Sequence, residues 1–403
     1  MRWAAFYGFL ILPFAVAQGW DLSQEYLCHL FQWGFMGRLS FLRRILLPGF
    51  VFQSVVIAGG YGTGRELAEF FLMEGPRGGL LAMALATVVW SSVCIVTYEL
   101  ARVAGTFDYR TFFKGLLGRG WVVYEVAYLL FMLLVLAVIA AASGSLLEET
   151  FGVPYWLGVV GIMVAVGALV LGGSRLIEQA MAGWSVVLYL AYLTLFVWCF
   201  RRFGGEILST LQAPGELGSW GVAGVRYAAY NIALIPPLLF PIRHLKHRKE
   251  TVLAGALAGP IAMVPGLLFY LAMVGQYPEV LDRAVPANFL LELLGSRSFQ
   301  IAFQVVLFGT LIETGAGLIH GMNERLANAF REKGLELPKL ARPFMAVGLL
   351  LFGTLLAGVG LVDLIARGYG TLTWVFLLIY VVPVLTLGVK RLLRADADPP
   401  EPA

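Results

Sequence analysis

The sequence predicts an all-helical integral membrane protein in which ten spans form two inverted repeats of five. Three observations lead there. Of the 403 residues, 59% are hydrophobic and 13% charged, with a mean hydropathy of +0.81, a composition far from that of a soluble domain. A window of about 20 apolar residues finds spans at 46–74, 79–102, 121–142, 155–172, 180–200, 219–241, 251–274, 299–322, 343–362 and 371–389. With the N terminus inside, 21 Lys and Arg fall in inner segments and 6 in outer connections, which places both termini in the cytoplasm by the positive-inside bias.

The connections repeat in length, which gives the domain organisation. Spans 1 to 5 are joined by 4, 18, 12 and 7 residues, and spans 6 to 10 by 9, 24, 20 and 8. An odd number of spans per half makes the second half enter from the opposite face, so the repeat is inverted. The predicted organisation is an N-terminal extension at 1–45, a first five-helix repeat at 46–200, an external linker at 201–218, a second repeat at 219–392 and a disordered cytoplasmic tail at 393–403.

Taken in order, the extension opens with "MRWAAFYGFLILPFAVAQGW", open to reading as a secretory signal, an interfacial helix or an upstream start. "FLRRILL" at 41–47 suits an approach along the membrane surface. Span 1 contains "IAGGYGTGRELAEF" at 57–70. Each glycine costs a helix roughly 1 kcal/mol, and an unpaired charge at bilayer depth roughly 2.5–3.5 kcal/mol, so this span is expected to be broken. The second connection of each half holds a short helix, "YRTFFKGLL" at 109–117 and "PANFLLELLG" at 286–295. Span 6, "RYAAYNIALIPPLLFPIRH", carries Pro236, Pro237 and Pro241, which remove three helical donors. The first helix of each half is therefore the interrupted one, the pattern that marks a binding site in a doubled membrane fold.

Several function classes are excluded or left unsupported. Cys28, Cys94 and Cys199 form no C-x-x-C pair or disulfide framework. The glycines lack the strand and spacing of a dinucleotide fingerprint, and no P-loop occurs. A potassium filter needs four loops about one axis. His244 and His247 sit in the basic stretch "RHLKHRKE" without a third metal ligand, and no basic aromatic stripe suggests nucleic acid. No nucleophile motif is present, so an enzyme is not predicted. No cofactor is expected.

"GGYGTGRELAEFF", "SGSLLEETFGVP" and "YAAYN" together resemble the YkvI family of bacterial membrane proteins over about residues 46–392. That family looks like a distant relative of the amino acid–polyamine–organocation transporters, which implies the LeuT-type fold with helices 1 and 6 broken. Arg65 stands where the family usually has glutamine, and the N-terminal 40 residues depart from it.

The candidate solute contacts are Gly60, Gly62, Thr63, Gly64, Arg65 and Glu66 in span 1, and Tyr227, Tyr230 and Asn231 in span 6. The amides of Gly62, Thr63 and Gly64 would offer a positive helix end to an anion. Arg65 can pair with Glu69 at i, i+4 or meet the solute; Glu66 can bind an amine, carry a proton or cap a helix. Span 8, "QIAFQVVLFGTLIETGAGLIHGMNER", aligns Thr310, Glu313, Gly317 and His320 on one face. The resemblance implies a Na+ site at Ala58, Tyr61, Thr310 and Thr314, with Glu313 completing it, replacing it as a proton acceptor, or pairing with His320. The predicted function is Na+- or H+-coupled transport of a small polar solute, an amino acid or related amine, across the bacterial inner membrane. The alternative is a membrane binding or signalling protein on the same fold. The expected partners are the solute and the bilayer.

Overall fold

The computed structural model describes residues 37–57, 59–171, 174–215, 217–236, 239–331, 338 and 341–397. Most of the predicted extension, Ala58, and 398–403 of the predicted tail lie outside the described residues. Among those described the fold is all helix, without strands.

The first helix comes in three pieces, α1 (Gly37–Val56), α2 (Gly59–Thr63) and α3 (Arg65–Phe70). Then follow α4 (Pro76–Ala104), the short α5 (Tyr109–Leu117), α6 (Trp121–Phe151), α7 (Tyr155–Leu171) and α8 (Ser174–Gln212). The second half holds α9 (Trp220–Ile232), α10 (Arg248–Val274), the short α11 (Pro286–Leu294), α12 (Arg297–Arg331), α13 (Ala341–Ala357) and α14 (361–397). Local chemistry sets the ends. Pro76 occupies the first turn of α4, where its missing N–H costs nothing, and Gly105 in the left-handed region closes it. Asp108 caps α5 by accepting from the Thr111 amide at 2.8 Å. His247 and Glu250 form a reciprocal capping box at the start of α10.

Among the described residues, five stretches are long and apolar enough to cross a membrane: Pro76–Ala104, Tyr109–Phe151, Arg248–Val274, Arg297–Ile319 and Leu361–Arg394. Large apolar side chains such as Phe344, Leu355 and Val164 point outward, as a hydrocarbon solvent allows. α6 is the central helix, with 72% of its most apolar window buried against 33% for the last stretch. Small residues let helix backbones meet: Gly255 of α10 lies against the backbone of Ile95 in α4.

Four boundaries differ from the sequence expectation. α6 runs to Phe151 instead of 142, and Gly144 and Gly158 let α6 and α7 pack closely along the added turns. α8 continues to Gln212 through a kink at Phe203, so most of the predicted linker at 201–218 is helical. The chain turns at Gly358–Gly360, where Gly360 has φ 93°, and the expected outer connection at 363–370 is already the first turns of α14. There Asp363 and Arg367 pair at 3.0 Å one turn apart, so those charges start a helix instead of marking a loop. α14 alternates α-helical with π-helical turns at Leu364–Tyr369, Leu377–Val381 and Val384–Gly388. It remains helical to Ala397, into the segment read as a disordered tail.

Candidate functional site

The break in the first helix has two points. α1 stops at Val56, and after α2 the chain turns again at Gly64, whose φ of 83° is a left-handed conformation that glycine adopts without strain. The expectation of an unwound "GGYGTG" with free amides is therefore corrected: Gly59–Thr63 is helical, and the Gly64 amide donates to the Tyr61 carbonyl at 2.9 Å. The carbonyls at the break are also engaged. Tyr192 of α8 donates to Gly62 O at 2.7 Å, and Thr63 Oγ1 to Gly60 O at 3.0 Å. A Cβ on Gly62 would come 3.0 Å from Leu307 Cδ1 and 3.1 Å from the Tyr192 hydroxyl.

The second break follows Ile232. Tight turns return the amides of Ala233, Leu234 and Ile235 to carbonyls three residues back, and a 3-10 turn at Phe240–His244 resumes the path. Pro236 lies in this break, while Pro237 is outside the described residues. The break is supported from the first half: Tyr124 of α6 donates to Ala233 O at 2.8 Å, and the Trp90 indole of α4 to Ala228 O at 3.1 Å. Asn231 turns inward on its own helix, donating to Tyr227 O at 3.1 Å.

The two breaks meet at one bond. Tyr230 OH donates to Glu66 Oε2 at 2.7 Å, with both side chains buried. Glu66 folds back over Gly60, where any Cβ would collide with its carboxyl. An aromatic shell closes round the pair. Tyr230 stacks on Tyr369 of α14 at 4.8 Å and lies 5.4 Å from Phe70, and Tyr227 packs against Phe71 at 4.4 Å and Trp90 at 5.5 Å.

Arg65 points elsewhere. It pairs with Glu69 at 2.6 Å and donates to the carbonyls of Leu281 and Arg283 at 2.7 and 3.2 Å, tying α3 to the segment between α10 and α11. This is the ion-pair alternative, extended to a loop more than 200 residues later, and it turns the guanidinium away from Glu66 and Tyr230.

On α12, Leu311 touches Gly59 and Leu307 faces Gly62, which sets this helix against α2. Thr310 Oγ1 donates to Val306 O at 2.9 Å and Thr314 Oγ1 to Thr310 O at 3.0 Å; each hydroxyl keeps acceptor lone pairs. Glu313 is 3% exposed, and its Oε1 has no hydrogen-bond partner among the described residues. Ala58 and the His320 side chain lie outside what is described. Of the predicted residues, Gly60, Glu66, Tyr227, Tyr230 and Asn231 converge, Thr310 and Thr314 lie on the helix against α2, and Arg65 does not join them. Tyr369, Tyr192, Phe70 and Trp90 were missed. Tyr369 falls within the expected outer connection at 363–370, and the others carry no local signal beyond being aromatic.

No protein-family model matches the chain. It is 22% identical over 282 residues to the uncharacterized membrane protein YkvI of Bacillus subtilis (strain 168), covering 69% of this chain and 79% of that protein, which bears out the resemblance read from the motifs. Among solved structures it is similar to a Na+-coupled sialic acid symporter in a substrate-bound outward-open state, with a TM-score of 0.55 and 12% identity over 96% of this chain and 86% of that one. It is also similar to MhsT in complex with L-phenylalanine, with a TM-score of 0.51 and 16% identity over 88% and 87% of the chains. These likenesses give the fold: a multi-pass membrane protein of the LeuT type.

Proposed function

We propose that this protein is a secondary active transporter of a small polar solute, an amino acid or related amine, working by Na+- or H+-coupled alternating access in the bacterial inner membrane with both termini cytoplasmic. The observation that carries this reading is the Glu66–Tyr230 bond at 2.7 Å, which brings the two helix breaks together inside an aromatic shell. A buried carboxylate whose donors, the Tyr230 hydroxyl and the Tyr61 backbone, are both neutral is poorly compensated, and a solute ammonium entering between α2 and α9 would supply the missing charge. Interrupted helices are natural hinges for exposing such a site to one side and then the other.

Coupling is assigned to the α12 face. Thr310 and Thr314 would hold Na+ through their hydroxyl lone pairs, with carbonyls of the α1–α2 break completing the set. Glu313, buried with its Oε1 unpaired among the described residues, is the acceptor if the ion is H+. The test is uptake into proteoliposomes of amino acids and amines under imposed Na+ or H+ gradients. Accumulation driven by either gradient supports the proposal. Solute-induced stabilisation without any flux would leave the same fold working as a binding protein.

A further inference from the structure

One cation near the site has no counter-charge among the described residues. Arg226 lies in α9 one turn before Tyr230, half-buried between α3, α9 and α14. Its guanidinium carbon lies 5.5 Å from the centre of the Phe70 ring, and a Cβ at Gly370 would come within 2.6 Å of its Nη2. Its Nε is buried with no acceptor, and among the described residues no carboxylate or carbonyl accepts from the guanidinium. The backbone around it is nonetheless fixed, since Thr373 of α14 donates to the Arg226 carbonyl at 3.0 Å. Arg65, by contrast, has Glu69 and two loop carbonyls.

A half-buried arginine without an acid beside it is poorly compensated, and its planar fork matches a carboxylate better than any other common group. Residues i and i+4 of a helix stand about 5–6 Å apart at Cβ, so Arg226 and Tyr230, with its bonded Glu66, present a cationic and an anionic pole along one face of α9. We propose that Arg226 binds the carboxylate of the solute, so that the substrates are carboxylic acids carrying an amine and the corresponding simple amines are rejected. This rests on the transporter reading and narrows its substrate class. Gly370 is part of the device, because the absent side chain leaves the space in which the guanidinium lies.

The test is thermal stabilisation of the purified full chain by standard L-amino acids and by the amines that remain when their carboxyl groups are removed. The wild type is expected to be stabilised by acids and not by the matching amines. Arg226→Gln should raise the half-saturating acid concentration at least about tenfold, with Arg226→Lys falling between. Gly370→Ala, which crowds the guanidinium without removing charge, should weaken acids while its unliganded melting temperature stays near that of wild type; it keeps the test valid if Arg226→Gln folds poorly. Equal stabilisation by amines, acid affinity unchanged in both Arg226→Gln and Gly370→Ala, or no acid that stabilises the wild type overturns the assignment. Uptake separates the two proposals. Acids that bind through Arg226 but never enter vesicles refute transport and leave Arg226 standing, whereas gradient-driven uptake of amines that survives Arg226→Gln keeps transport and removes the carboxylate role.

Discussion

Tyr230 on α9 and Glu66 at the start of α3 share a hydrogen bond of 2.7 Å across the two interrupted helices. Removing either partner should have a different effect. Tyr230→Phe leaves a buried carboxyl oxygen without its donor and is expected to destabilise the protein by about 1–3 kcal/mol, read as a lower melting temperature. Glu66→Gln keeps a polar partner for Tyr230 and should melt near wild type while losing stabilisation by amine-bearing solutes. A Glu66→Gln protein that binds them normally would make Glu66 a helix cap.

Gly62 is confined by Leu307 at 3.0 Å and the Tyr192 hydroxyl at 3.1 Å. Gly62→Val is expected to push α2 off α12 and break the Tyr192 bond to the Gly62 carbonyl, costing about 1–3 kcal/mol and abolishing solute binding. Gly62→Ala should fall between. Normal solute binding by the valine variant would show that the break serves packing alone.

Glu313 sits buried on α12, its Oε1 without a hydrogen-bond partner among the described residues. Glu313→Gln is nearly isosteric, so expression and melting should hold or improve, while the response of uptake to the imposed gradient disappears. Uptake with unchanged ion dependence would reduce Glu313 to a structural residue.

Arg65 holds Glu69 and the carbonyls of Leu281 and Arg283. Arg65→Gln should lower stability by about 1–3 kcal/mol and expose the 279–283 segment to protease, without altering which solutes bind. A changed preference for solute charge, at undiminished stability, would return Arg65 to the binding site.

Much of this was legible in the sequence, for identifiable reasons. Glycine weakens a helix through its backbone freedom and proline through its missing donor, so both breaks could be placed from "GGYGTG" and "IPP", and with them Glu66 and Tyr230. The short helices at 109–117 and 286–294 were legible as matching segments in the second connection of each half. Partners distant in the chain were not. The loop carbonyls that receive Arg65 and the hydroxyls of Tyr192 and Tyr124 that hold the break carbonyls are tertiary facts with no local signature. Tyr369 was lost through a boundary error: Asp363, Arg367 and nearby glycines look like a loop, and only the i, i+4 pairing within a continuing helix shows otherwise.

The hydroxyls of Tyr192 and Tyr124, seated on the carbonyls of Gly62 and Ala233, bear on the half of a carrier's cycle in which nothing is carried. A coupled carrier must travel back empty, and with its cargo gone an interrupted helix would present bare carbonyls to a dry interior. On the proposed transporter reading, the two tyrosines would keep these carbonyls satisfied through the unloaded step. If so, replacing both with phenylalanine should slow net uptake more than exchange, since exchange does not require the unloaded protein to reorient.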